Sequence, residues 1–289
     1  LGTFATENGH YTGKRFDEKF TKDKTNNELK AERLWTQDKA EIIRDKCQGK
    51  PGTVTEESNP SKETCPLLYD LTSLQREANS RFGFSAKATL GLAQALYEKH
   101  KVLTYPRTDS RALPEDYIAT VKDTLQNLKD TNYGVYASKI LASDWVKANK
   151  RIFNNAKISD HFAIIPTSLN PKKLNEVETK LYDLVTKRFL AIFFPAAEFL
   201  ITTRITRVEK EPFKSEGKVM VNPGWQAVYG KSANSNDTDD DSTLLAVTPG
   251  QSVATEEVKI ANNQTRPPAR LNEATLLSAM ESAGKLVED

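Results

Sequence analysis

Leu103-Thr-Tyr-Pro-Arg-Thr-Asp-Ser110, continuing as Arg111-Ala-Leu-Pro114, is the stretch on which the reading of this chain turns. The approach Val102-Leu103-Thr104 is apolar and β-branched and predicts a strand that delivers Tyr105 to a turn. Pro106 fixes the backbone and removes an N–H. Arg107, Thr108, Asp109 and Ser110 then crowd polar groups around the phenol. A tyrosine hydroxyl has an unperturbed pKa of about 10 and is a poor nucleophile at neutral pH. To attack anything it needs a cation nearby that organises the target and favours the charged form. Arg107 suits that task when the target is a phosphate, because a guanidinium fork matches two phosphate oxygens at once. The plain alternative is a strand end running into a polar turn, and from the residues alone both readings stand.

The global charge discriminates little, with 41 Lys and Arg against 39 Asp and Glu in 289 residues. Its distribution says more. Between Leu71 and Arg111 lie Arg76, Arg81, Lys87, Lys99, Lys101, Arg107 and Arg111 against Glu77, Glu98 and Asp109, which is 7 − 3 = +4. A nucleic-acid surface needs such an excess, although helix faces of any water-soluble protein show it too. Cys47 and Cys65 have neither metal spacing nor a Cys-x-x-Cys pairing, which fits a reduced intracellular protein, a disulfide between them being the unsupported alternative. No apolar run approaches the roughly 20 residues that cross a bilayer, so no membrane partner is expected. The start at Leu1 has no initiator Met or targeting signal and the end at Asp289 has no natural close, so the chain reads as an excised piece of a longer one.

Residues 1–70 are polar and mixed, with one helix predicted from Thr36 to Lys46 carrying Ala40, Ile42 and Ile43, and a short strand-like stretch at Val54-Thr55. From Leu71 the pattern turns helical. Thr72 with Gln75 predicts a capping box, Leu71, Leu74, Ala78 and Phe82 recur at helical spacing, and Gly83 breaks the helix. Ser85 caps a second helix whose stripe is Thr89, Ala93, Leu96 and Tyr97. A third begins near Pro114 with Ile118, Val121, Leu125 and Leu128 inward, and a fourth runs from about Leu174 to Phe194, stopped by Pro195. Beyond that the period becomes two, predicting strands at Glu198–Glu209, Val219–Val221, Trp225–Tyr229 and Val253–Ile260. Ser232–Ser242 is a polar acidic insert without the spacing of a calcium loop, and reads as solvated. Asn272 caps a last helix that ends near Gly284.

The string Leu-Thr-Tyr-Pro-Arg-Thr-Asp-Ser-Arg-Ala-Leu-Pro resembles the active-site signature of type IA DNA topoisomerases, and its Tyr-Pro-Arg form resembles the topoisomerase III branch. Three further stretches resemble that family in the same order: Leu71–Asn79 with Phe82-Gly-Phe-Ser85, His161-Phe-Ala-Ile-Ile-Pro-Thr167, and Pro267-Pro-Ala-Arg-Leu-Asn-Glu-Ala-Thr275. The resemblance implies an α+β multidomain fold, in which a helical, winged-helix-like tyrosine domain is inserted in a β-rich arch that belongs to a ring. Its implied boundaries are 1–65 for the first part of domain II, 66–195 for domain III, 196–260 for the second part of domain II, and 261–289 for the start of the second part of domain IV.

The implied chemistry is transesterification without ATP. Tyr105 would cleave and rejoin single-stranded DNA through a 5′-phosphotyrosine link, and Arg107 would hold the scissile phosphate. Thr108, Asp109, Ser110, His161 and Arg270 are the implied DNA-binding residues, with Asp109 able either to orient Arg107 or to cap the turn. Mg2+ would serve the full-length enzyme, but the family's acidic Toprim domain would precede residue 1, so no metal site is expected in this chain. The piece by itself is expected to be inactive, and the parent to be a monomeric, DNA-associated protein of the bacterial cytoplasm. The alternatives are a non-catalytic winged-helix DNA-binding module and a tyrosine recombinase. The latter requires dispersed Arg and His residues before a late tyrosine, and that arrangement is absent.

Overall fold

The computed structural model describes residues 1–7, 9–22, 26, 28–231 and 244–283; the acidic insert 232–242 and Gly284 lie outside them. The chain divides into two compact units. One comprises Leu1–Lys62, Glu198–Asn222 and Ser232–Pro268; the other comprises Glu63–Ala197, Pro223–Lys231 and Ala269–Asp289.

The first unit is a closed barrel. Its strands are β1 (Gly2–Thr6), β2 (Gly9–Arg15), β3 (Pro51–Glu63), β4 (Ala197–Val208), β5 (Glu211–Asn222) and β6 (Ser252–Val258), joined in the order β1-β2-β5-β4-β3-β6. Alternate residues point inward, so Phe4, Tyr11, Val54, Val208, Phe213 and Val253 meet in one core with Cys47. Gly52 permits close approach there: a Cβ would meet Thr206 Cγ2 at 2.8 Å and Val208 Cγ2 at 3.0 Å. Arg204 is buried inside, ion-paired to Glu56 at 2.8 Å, donating to the Leu245 carbonyl and stacked 4.5 Å from the Tyr11 ring. Helix α1 (Gln37–Cys47) follows the predicted span, but Ile42 points outward and Ile43 packs on the core. Strands β1 and β2 were not anticipated, and β3 is far longer than Val54-Thr55 suggested. Their threonines, glycines and charges blur the period of two, and barrel closure supplies the partners that order them.

The second unit is helical: α2 (Leu71–Phe82), α3 (Ala86–Glu98), α4 (Ile118–Leu128), α5 (Gly134–Ala142), α6 (Glu176–Ala191) and α7 (Glu273–Ala283). The cap of α2 is Asp70, whose carboxylate accepts from Ser73 N at 2.7 Å in a capping box, rather than the predicted Thr72 with Gln75. Gly83 ends α2 in the left-handed region at φ +70°, and Ser85 caps α3 as predicted. Asn175 and Glu178 form a reciprocal box on α6, and Asn272 does the same with Thr275 on α7. The faces of α2, α3, α4 and α6 meet through Leu74, Ala78, Leu96, Val121, Leu125, Leu181, Val185 and Phe189.

Trp225–Tyr229 is a 3-10 helix (Gly224–Tyr229), not a strand. Trp225 and Tyr229 pack on the helical core, so residues 223–231, placed above in the second part of the arch, belong to the helical unit. Residues 269–283, placed above in a separate following domain, also pack there, chiefly α7 on α2.

One polar network holds this unit at its centre. Arg188 of α6 ion-pairs with Glu77 at 2.5 Å, donates to Leu67 O at 2.9 Å and Tyr229 Oη at 3.3 Å, and stacks 4.4 Å from the Tyr69 ring. Tyr69 in turn donates to Glu77 at 2.5 Å. Removing one member of a mostly buried charged network strands the others. Arg188→Leu is therefore expected to lower stability by about 3 kcal/mol, read as a fall in the urea midpoint at unchanged slope.

Candidate active site

The segment from Val102 to Leu113 is irregular and only sparsely paired, with isolated bridges Leu103 to Pro166 and Leu113 to Phe153 in place of the predicted strand. Prolines at 106 and 166 remove the amide donors a continuous ladder needs. Side chains do the stitching instead. Thr104 donates its hydroxyl to Ala163 O at 3.0 Å and accepts from Ile165 N at 2.9 Å, while Thr104 N donates to Ile165 O at 2.9 Å. Leu71 N donates to Thr108 O at 3.0 Å, which ties the loop to the first turn of α2.

Two predicted DNA ligands turn out to be braces of this loop. Thr108 donates to His161 O at 2.8 Å and accepts from Ser110 N at 3.0 Å, and Ser110 donates to Lys157 O at 2.8 Å. Both side chains are buried, so their hydroxyls are committed within the protein and do not face a ligand. Asp109 is exposed and accepts from Ser159 Oγ at 3.0 Å, which makes it a tie across the loop rather than a partner of Arg107. Arg270 is exposed on the stretch leading to α7 and makes no ion pair among the described residues.

Tyr105 is half-buried, with Pro106 buried beside it and Arg107 exposed. His161, which lies 56 residues further along (161 − 105), is brought beside the phenol with ring centroids 4.3 Å apart and planes at 44°. On another side stands Tyr97 of α3, edge-on at 5.4 Å and 79°. The Arg107 Nη2 faces Gln94 Oε1, also on α3, at 3.5 Å. The helical stripe of the sequence puts Tyr97 in the core, and Gln94 belongs to no motif. Their i, i+3 spacing on the face beside Ala93 and Leu96 is the one signal that could have found them.

The local positive charge is smaller than the sequence count. Arg76 pairs with Glu281 at 2.8 Å, Arg81 with Glu77 at 2.8 Å, and Arg111 with Asp70 at 2.6 Å and Glu281 at 3.4 Å. Among the described residues, Lys87, Lys99, Lys101 and Arg107 keep their charge free of an ion pair.

A hard divalent cation such as Mg2+ is held by converging oxygen ligands, usually carboxylates. Among the described residues no three His, Cys, Asp or Glu side chains come together, so the residues present do not furnish such a site and no step below passes through one. Among the described residues, too, no helix is long and apolar enough to cross a membrane. Both thiols are free and buried. Burial pushes Cys65 up to about 12 and Cys47 up to about 11, which keeps them as unreactive thiols at neutral pH. Neither is expected to be alkylated by iodoacetamide at pH 8 in the folded protein, and both after unfolding, as counted by mass spectrometry.

The solved structure of full-length topoisomerase I from Thermotoga maritima matches at TM-score 0.63 and 23% identity, over 89% of this chain and 41% of that one. Residues 9–284 match the family described as DNA topoisomerase. DNA topoisomerase 3 of Bacillus subtilis is 44% identical over 264 residues, covering 90% of this chain and 36% of that protein. DNA topoisomerase 3 of Bacillus cereus is 42% identical over 262 residues, covering 89% and 36%. The chain belongs to the type IA DNA topoisomerase family. It spans little more than a third of the length of these relatives.

Proposed function

We propose that Tyr105 is the nucleophile of a DNA strand-passage reaction carried out by the longer protein of which residues 1–289 form part. The phenolic oxygen attacks a phosphodiester of single-stranded DNA and the P–O bond to the 3′ oxygen breaks. The phenol's proton ends on that oxygen, leaving a 5′-phosphotyrosine and a free 3′ hydroxyl. A second strand passes through the gap, and the hydroxyl then reverses the attack. One ester replaces another, so no ATP is consumed. Arg107 binds the scissile phosphate and offsets charge in the transition state. His161 contacts the DNA beside the phenol, and Arg270 a more distant phosphate. In this reading the helical unit is the tyrosine-bearing domain III, winged-helix-like, and the barrel unit is the arch of domain II. The metal requirement is met by residues outside this chain, and the protein acts as a monomer on DNA in the bacterial cytoplasm.

The observation that carries this reading is the setting of Tyr105: a half-buried phenol, flanked by two rings, with an exposed guanidinium two residues away. A labelled single-stranded oligonucleotide, quenched in SDS with the full-length protein, tests it. Covalent label mapping to a Tyr105 peptide supports the reading, and its absence in a protein that binds DNA rejects it. Arg107→Lys is expected to slow cleavage at least tenfold, about 1.4 kcal/mol of barrier, because lysine keeps the charge but loses the planar fork. Wild-type cleavage by that variant would reduce Arg107 to a structural part.

A further inference from the structure

We propose that one face of α3 is a positioning platform for the Tyr105–Arg107 pair, with Tyr97 holding the phenol and Gln94 holding the guanidinium. The inference rests on the function proposed for those two residues. Tyr97 is 37% exposed, unlike its helix neighbours Ala93 and Leu96, which are fully buried. Among the described residues its ring meets one other ring, that of Tyr105, and its hydroxyl has no hydrogen bond. Packing of the core therefore does not account for its position.

With His161 on another side, the two rings bound the arcs through which a half-buried phenol can swing. Edge-to-face contacts favour particular angles rather than mere burial, so Tyr97 selects a ring orientation. Gln94, one position short of a turn earlier on the same face, acts on the second member of the pair. Its amide nitrogen donates to Glu98 Oε1 at 2.9 Å, which commits the NH2 end and presents the carbonyl oxygen to Arg107 Nη2. A guanidinium engaged at Nη2 alone keeps its remaining N–H groups for two phosphate oxygens.

A reaction that needs the phenolic oxygen aligned with a phosphorus is sensitive to small misplacement. The consequence is a selective effect on the chemical step. In the full-length protein, single-turnover cleavage of a labelled single-stranded oligonucleotide should fall about tenfold or more in Tyr97→Ala. DNA affinity should stay within about twofold, because Tyr97 supplies no charge. Tyr97→Phe should restore the rate, since the ring edge and not the hydroxyl makes the contact. Tyr97→Leu, which refills the volume and protects the fold, should stay slow. Gln94→Leu should slow cleavage in the wild-type background and have little further effect in Arg107→Lys, because both act through one contact.

A wild-type cleavage rate in Tyr97→Ala, recovery by Tyr97→Leu equal to that by Tyr97→Phe, or strict additivity of Gln94→Leu with Arg107→Lys would overturn the proposal. Tyr105→Phe run alongside separates the two levels. If it still forms the covalent adduct, the functional reading fails. If it does not, while Tyr97→Ala cleaves normally, only the platform fails.

Discussion

Tyr105→Phe in the full-length protein is expected to abolish covalent attachment to DNA while leaving DNA affinity within about twofold of wild type. The substitution removes one oxygen and keeps the ring. The rings of His161 at 4.3 Å and Tyr97 at 5.4 Å therefore retain their packing partner. The Tyr105 hydroxyl makes no hydrogen bond among the described residues, so its loss strands no buried donor or acceptor, which is the usual cause of a stability penalty. A defect in cleavage then cannot be traced to the fold. SDS-quenched reactions give the first readout and fluorescence anisotropy of a single-stranded oligonucleotide the second. Adduct formed by the phenylalanine variant would remove Tyr105 from the mechanism.

Residues 1–289 produced alone are expected to bind single-stranded DNA weakly, with strong salt dependence, and neither to cleave it nor to relax supercoiled plasmid. Among the described residues, the cations between Leu71 and Arg111 that make no ion pair are Lys87, Lys99, Lys101 and Arg107. Arg76, Arg81 and Arg111 are neutralised by carboxylates at 2.6–2.8 Å. About four phosphate contacts would give a log–log salt slope near −3 for single strands, roughly a 60-fold loss of affinity between 50 and 200 mM salt. The proposed nucleophile, Tyr105, and the proposed phosphate-binding residue, Arg107, are both present. No group of three metal-binding side chains accompanies them among the described residues. Agarose gels with purified protein and plasmid decide the activity, and anisotropy titrations at several salt concentrations decide the slope. Magnesium-dependent relaxation would show that residues of this chain assemble a metal site after all. A slope much steeper than −3 would show that the paired arginines release their carboxylates to bind DNA.

The helices around the tyrosine were legible because their signals are local. Ser85 capping α3, Gly83 ending α2 in the left-handed region, and Leu74, Ala78, Leu125 and Leu181 at helical spacing each act through neighbours three or four residues away. The Tyr105–Arg107 loop was legible for the same reason, since the candidate nucleophile and its cation are two residues apart. The cap of α2 was misread by two positions because Thr72 and Gln75 satisfy the same pattern as Asp70 and Ser73. Arg111 decides between them by pairing with Asp70 from 41 residues away.

Everything non-local was settled only in three dimensions. Strands β1 and β2 carry too many threonines, glycines and charges to declare themselves in the sequence, and they order because β5 and β6 lie against them as the barrel closes. Trp225–Tyr229 has strand-like composition but becomes a 3-10 helix because its aromatic rings are buried on the helical core, where tertiary packing outweighs a weak local propensity. Thr108 and Ser110 read as ligands until the carbonyls of His161 and Lys157 arrive from another part of the chain and take their hydroxyls. A sequence on its own determines which chemistry is available at Tyr105 and Arg107, because bonding chemistry travels with the residue. Which charges stay free, which hydroxyls stay open and which rings flank the phenol depends on partners dozens to hundreds of residues distant, and those distances are closed only by folding.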